Sequence, residues 1–88
     1  MKKIEVKVNN PKGLHGRPTG MVVHYAKKFS SNIFLEKDGK SADAKSIVSI
    51  MSLGVTSPAS IMLAADGADE AAAVDSMKDM IESIYLEA

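Results

Sequence analysis

The sequence predicts an α+β fold, an open-faced sandwich in which a four-stranded antiparallel sheet carries three helices on one face. Three observations lead there. Strand-like and helix-like patterns follow one another in the order β-α-β-β-α-β-α. The two central strand patterns flank Asp38-Gly39, the dipeptide that most readily adopts the paired positive φ angles of a type I′ hairpin. The connections are short, which together with the hairpin favours an antiparallel sheet covered by helices on one face.

Each element has its own warrant. Lys3-Ile4-Glu5-Val6-Lys7-Val8 alternates polar and apolar residues with period two, a half-buried strand with Ile4, Val6 and Val8 inward. Asn9-Asn10-Pro11-Lys12-Gly13 reads as a loop. A helix over about residues 16–29 follows, with Pro18 tolerated in its first turn and Val22, Ala26 and Phe29 marking the buried stripe. Ser30-Ser31-Asn32 ends it, and the hairpin pairs Ile33-Phe34-Leu35-Glu36-Lys37 with Lys40-Ser41-Ala42-Asp43. Ser46 is placed to cap a short second helix, Ile47-Val48-Ser49-Ile50-Met51-Ser52-Leu53, which Gly54 can close in a left-handed conformation. Its β-branched residues make it intrinsically weak. Beyond the loop at Pro58, Ser60-Ile61-Met62-Leu63-Ala64-Ala65 reads as a buried strand that turns at Asp66-Gly67. Asp69 and Glu70 favour the start of a last helix, whose stripe is Val74, Met77, Ile81 and Ile84. Met77 and Met80 are expected to pack rather than to hold a cofactor.

With 88 residues the chain is a single domain, 1–88, with room for one core. It has no cysteine, hence no disulfide framework and no thiolate metal site, and its first residues lack the apolar run of a signal peptide. Its longest apolar run, Ile61-Met62-Leu63-Ala64-Ala65, falls far short of the roughly 20 residues that span a bilayer. A cytoplasmic protein with no membrane insertion is expected. Eleven basic residues balance eleven acidic ones and no basic stripe stands out, so nucleic acid is not an expected partner.

The chemistry concentrates in Gly13-Leu14-His15-Gly16-Arg17-Pro18. Imidazole is nucleophilic, largely neutral and still readily protonated near pH 7. Placed at or just before a helix N-terminus, His15 faces unpaired N–H groups and the positive end of the dipole, which disfavour imidazolium and stabilise an arriving phosphate dianion. Arg17 adds a planar fork of donors. Gly13 allows a tight turn into the site and Gly16 lets backbone approach closely. His24 has no carboxylate at ligand spacing and is a surface histidine rather than a metal or catalytic group.

These residues carry a resemblance. Gly13-Leu14-His15-x-Arg17-Pro18, then Leu35-Glu36-x-x-Gly39-Lys40, then Ala44-Lys45-Ser46-Ile47-x-x-Ile50-Met51-Ser52-Leu53-Gly54, resemble the histidine-containing phosphocarrier HPr of the sugar phosphotransferase system across essentially the whole chain. The resemblance implies an HPr-like open-faced sandwich and a carrier rather than an enzyme. It implies that His15 takes a phosphoryl group on Nδ1 from phosphorylated Enzyme I and passes it to enzyme IIA domains of sugar permeases. Arg17 and the backbone at Gly16 and Arg17 would hold that group, with no metal and no cofactor.

The resemblance further implies that Ser46 is a regulatory serine phosphorylated by an HPr kinase/phosphorylase, linking the chain to a catabolite-control transcription regulator. A monomer is expected, with a dimer formed by swapping the first strand left open. The docking surface should combine Gly20 and His24 with Ile47, Val48 and Met51, although Ile47, Ile50 and Leu53 could be divided between docking and core. Gly16, Thr19 and Gly20 depart from the family's usual residues on the site helix. Three further readings stay open: a catabolite-repression homologue acting mainly through phospho-Ser46, a small acylphosphatase-like hydrolase that would use Arg17 and not need His15, and a binding module of ferredoxin-like shape that would take no phosphate.

Overall fold

The structure, a computed structural model, describes residues 1–8, 17–56 and 59–83. Within them the chain forms β1 (Lys2–Val8), α1 (Arg17–Ala26), β2 (Asn32–Lys37), β3 (Lys40–Asp43), α2 (Ile47–Ser52), β4 (Ala59–Asp66) and α3 (Glu70–Ser83). The element order and the open-faced sandwich agree with the pattern of the sequence. The sheet is antiparallel throughout, in the order β1-β4-β2-β3. Among the described residues no helix is long and apolar enough to cross a membrane.

Register explains which side chains reach the core. One row of partners crosses the whole sheet, Ile4 opposite Leu63, Leu63 opposite Leu35, and Leu35 opposite Ala42. Parallel to it, Val6 lies opposite Ile61, and Ala65 opposite Ile33. Because side chains alternate along a strand, these residues share the face covered by the helices, and Val6, Ile33, Leu35, Ile61, Leu63 and Ala65 are all buried. Ile4 is only partly buried, at the edge of the same cluster. From α3, Val74, Met77 and Ile81 complete the core, each side chain worth about 1.5–3 kcal/mol on burial. Ile84 lies outside the described residues.

Apart from the buried Ala64, the other face is exposed or partly so. There the Lys3 ammonium donates to Glu36 at 3.2 Å across β4. At the β1 edge, Glu82 of α3 accepts from the Lys7 backbone N–H at 3.1 Å while Lys78 donates to it at 2.7 Å. The Lys78 ammonium and the Lys7 amide hold the Glu82 carboxyl below its ordinary pKa.

Local chemistry sets the turns. Asp38 and Gly39 have φ of 53° and 79°, the positive pair a type I′ turn requires. α1 is shorter than the periodicity predicts. After Ala26 the chain tightens into i to i−3 bonds, Lys28 N–H to Tyr25 O at 3.1 Å and Phe29 N–H to Ala26 O at 3.2 Å. Phe29 still packs on the core from that turn, so the apolar spacing ran on after the regular helix had stopped. β2 likewise begins at Asn32, opposite Asp66, where the sequence suggested the end of a turn.

Candidate functional site

α1 and α2 are separated in sequence by the hairpin but pack against each other. Arg17 is the first residue of α1 and is exposed, whereas Pro18 and Thr19 behind it are buried. The first turn contains no acidic residue. A cation at a helix N-terminus opposes the dipole, so nothing in helix formation favours Arg17 there. What it does create is a concentration of donors and positive charge. His15 and Gly16, the nucleophile and backbone contact expected beside it, lie outside the described residues.

Further along the same helix, Gly20 has open space where a side chain would stand, so bare backbone is presented to the surface. His24 is exposed and meets Tyr25 edge-on, with ring centroids 5.7 Å apart and an angle of 87°. The Lys28 ammonium lies 4.5 Å from the Tyr25 ring centre.

α2 shows which of its apolar residues are buried and which are exposed. Ser46 caps it with extended backbone, φ −128° and ψ 118°, and its hydroxyl accepts from the Ser49 N–H at 3.3 Å. Gly54 closes it at φ +67°. Four of the six residues of α2 are apolar and Ser49 and Ser52 share one face, so periodicity alone cannot say which of the apolar residues face in. Ile50 and Leu53 turn to the core, whereas Ile47, Val48 and Met51 are 48%, 78% and 45% exposed. Three large apolar side chains of one short helix are thereby left exposed.

Two residues with no assigned role join this region to the rest of the fold. The Lys45 ammonium donates to the Phe29 carbonyl at 2.8 Å. The N–H of the next residue, Ser30, donates to Asp69 Oδ2 at 2.9 Å, and the Ser31 N–H and hydroxyl both donate to Asp69 Oδ1. A cation and an anion thus grip the two ends of one peptide unit, Phe29-Ser30. The Ser31 hydroxyl first, with the Ser30 amide next, holds the Asp69 carboxyl at a pKa of about 2. The sequence placed Asp69 and Glu70 together as charges at the start of α3. Glu70 accepts there from the Gly67 N–H at 3.2 Å, and Asp69, whose carbonyl accepts from the Ala73 N–H, also reaches across with its carboxylate to the end of α1. Neither link has a sequence signature, because each partner is largely backbone.

Comparison with known proteins agrees with this arrangement. Residues 2–83 match the family model described as PTS HPr component phosphorylation site. The HPr-like protein Crh of Halalkalibacterium halodurans is 43% identical over 81 residues, covering 92% of this chain and 94% of that protein. The crystal structure of HPr-C-His from Thermoanaerobacter tengcongensis superposes with a TM-score of 0.94 at 45% identity, covering 100% of this chain and 99% of the other. The phosphocarrier protein HPr of Bacillus anthracis gives 0.87 at 35% identity, over 91% and 95% of the two chains. Sequence and overall fold agree over nearly the full length, and the chain belongs to the HPr family of phosphocarrier proteins of the phosphotransferase system.

Proposed function

We propose that this chain shuttles phosphoryl groups through His15, taking them on Nδ1 from phosphorylated Enzyme I and giving them to enzyme IIA domains of sugar permeases. The observation that supports this most is the start of α1, where exposed Arg17 stands in a first turn free of acidic residues. In each step a P–N bond to the donor histidine breaks as one to the acceptor forms, and charge builds on the phosphoryl oxygens. Arg17 and the backbone N–H groups at residues 16 and 17 are the donors for that charge. The carrier acts as a cytoplasmic monomer comprising one domain, 1–88, and meets its partners through Gly20, His24, Ile47, Val48 and Met51.

Ser46 is the regulatory position. Its hydroxyl caps α2 immediately before the exposed Ile47 and Val48, so a phosphate there would place close to two negative charges at the rim of the apolar patch. An HPr kinase/phosphorylase would supply it. The similarity to Crh favours a second reading, in which the chain acts mainly through phospho-Ser46 on a catabolite-control transcription regulator. His15 in the sequence favours the carrier.

Intact mass separates the two. After incubation with phosphoenolpyruvate and an HPr-type Enzyme I, the wild type should gain one acid-labile phosphate and His15→Ala none. No gain in the wild type, with an active Enzyme I verified on a control HPr, would overturn the carrier reading. An acid-stable phosphate added by an HPr kinase and lost in Ser46→Ala would then support the regulatory one.

A further inference from the structure

The composite surface raises a mechanical question: what keeps α2 in register with α1? α2 is six residues long, begins with two β-branched residues and presents apolar side chains to solvent. A helix that short has little stability of its own. No covalent neighbour joins it to α1, because β2 and β3 intervene.

We infer that Lys45 is a positioning residue for partner docking, holding the α2 cap against the terminal turn of α1 through its hydrogen bond to the Phe29 carbonyl. The inference rests on the reading of α1 and α2 as one docking surface.

Both ends of the link are anchored. At its base, the Lys45 N–H donates to Asp43 Oδ1 at 2.9 Å, and the Asp43 N–H donates to Ser49 Oγ at 2.9 Å. The stem therefore springs from backbone already tied into the α2 cap. At its tip, the Phe29 carbonyl emerges from the tightened turn that ends α1, where exposed C=O groups attract a cation. The other end of that peptide unit is held by Asp69, so the carbonyl cannot rotate away without breaking the Ser30 bond.

The charge of Lys45 is also uncommitted. Among the described residues it forms no ion pair with a carboxylate, and its side chain is half-buried rather than displayed. A lysine placed to attract an acidic partner would be extended into solvent. This one is drawn inward onto a carbonyl.

The test uses Lys45→Met, which keeps the stem and removes the donor, and Lys45→Arg, which keeps a donor at similar reach. Phosphate transfer from Enzyme I should show KM for Lys45→Met raised roughly three- to tenfold with kcat unchanged. The increase should persist at about 0.5 M salt, where exposed charge contacts are screened. Amide exchange should quicken at Lys27, Lys28 and Phe29 while the β4 amides keep wild-type protection, showing that the sheet is intact. Lys45→Arg should restore both KM and exchange.

An unchanged KM, an increase abolished by salt, a fall in kcat alone, or wild-type exchange at those three amides would each overturn the inference. A wild type that takes no phosphate from Enzyme I would instead sink the carrier reading and this inference with it.

Discussion

Replacing Thr19 with valine should stabilise the protein. Thr19 is completely buried in the first turn of α1, and its hydroxyl has no hydrogen-bond partner among the described residues. A buried hydroxyl left unpaired costs about 1–3 kcal/mol, which valine recovers by putting a methyl group in nearly the same volume. Helix propensities of the two residues are close, so backbone preference cancels. The added methyl contributes at most about 0.8 kcal/mol more if the core accepts it. For a domain of this size each kcal/mol raises Tm by about 4–8 °C, so the rise should be at least about 4 °C. Thermal unfolding followed by circular dichroism reads this directly, with urea midpoints at unchanged m-value as the second measure. Thr19→Ser, which keeps the hydroxyl and loses the methyl, should be less stable than the wild type. A Tm for Thr19→Val at or below the wild-type value would refute the reasoning, because the hydroxyl would then be contributing a hydrogen bond.

Other consequences are as open to measurement. Asp69→Asn should lower Tm at neutral pH, and the gap to wild type should close in acid. Because the folded-state carboxyl is depressed from 3.8 to about 2, its contribution is complete above about pH 5 and lost as pH falls through about 2. A gap that stays constant across that window would contradict the assigned hydrogen bonds. Gly67→Ala should destabilise by about 1–3 kcal/mol in urea, since a Cβ there would lie 2.6 Å from Ser31 Oγ and 2.7 Å from Ser31 Cα at a φ of +155°. Stability within error of wild type would show that the β4–α3 turn can yield. Val48→Asp, at a side chain 78% exposed, should leave stability within about 0.5 kcal/mol and raise KM for phosphate transfer from Enzyme I. An unchanged KM would remove Val48 from the docking surface.

The fold was legible wherever the physics is local. Asp38-Gly39 can hardly do anything but turn, and strict alternation in β1 assigns Val6 and Val8 to the core. Legibility failed where a decision belongs to the tertiary structure. α1 stops at Ala26 although Phe29 continues the apolar spacing, because a side chain can pack from a tight turn as well as from a helix. In α2 four of the six residues are apolar, so only the packed sheet beneath decides that Ile50 goes in and Ile47 stays out. At the candidate site, the histidine and arginine announce themselves by chemistry and by company. Lys45 and Asp69 do not, since they act on peptide groups that every residue possesses.

The sheet order has a consequence for the chain as it is made. Among the described residues β1 pairs only with β4, and about fifty residues separate them, whereas β2 and β3 meet across a two-residue turn within microseconds. At roughly 5–20 residues per second, β1 waits on the order of 3–12 s from its own completion until β4 has been synthesised. During that interval it is an unpaired strand with Ile4, Val6 and Val8 on one side. Lys3, Glu5 and Lys7 on the other side keep it charged and make it a poor template for a neighbouring nascent chain. The same alternation that seats the strand in the finished sheet protects it while its partner does not yet exist.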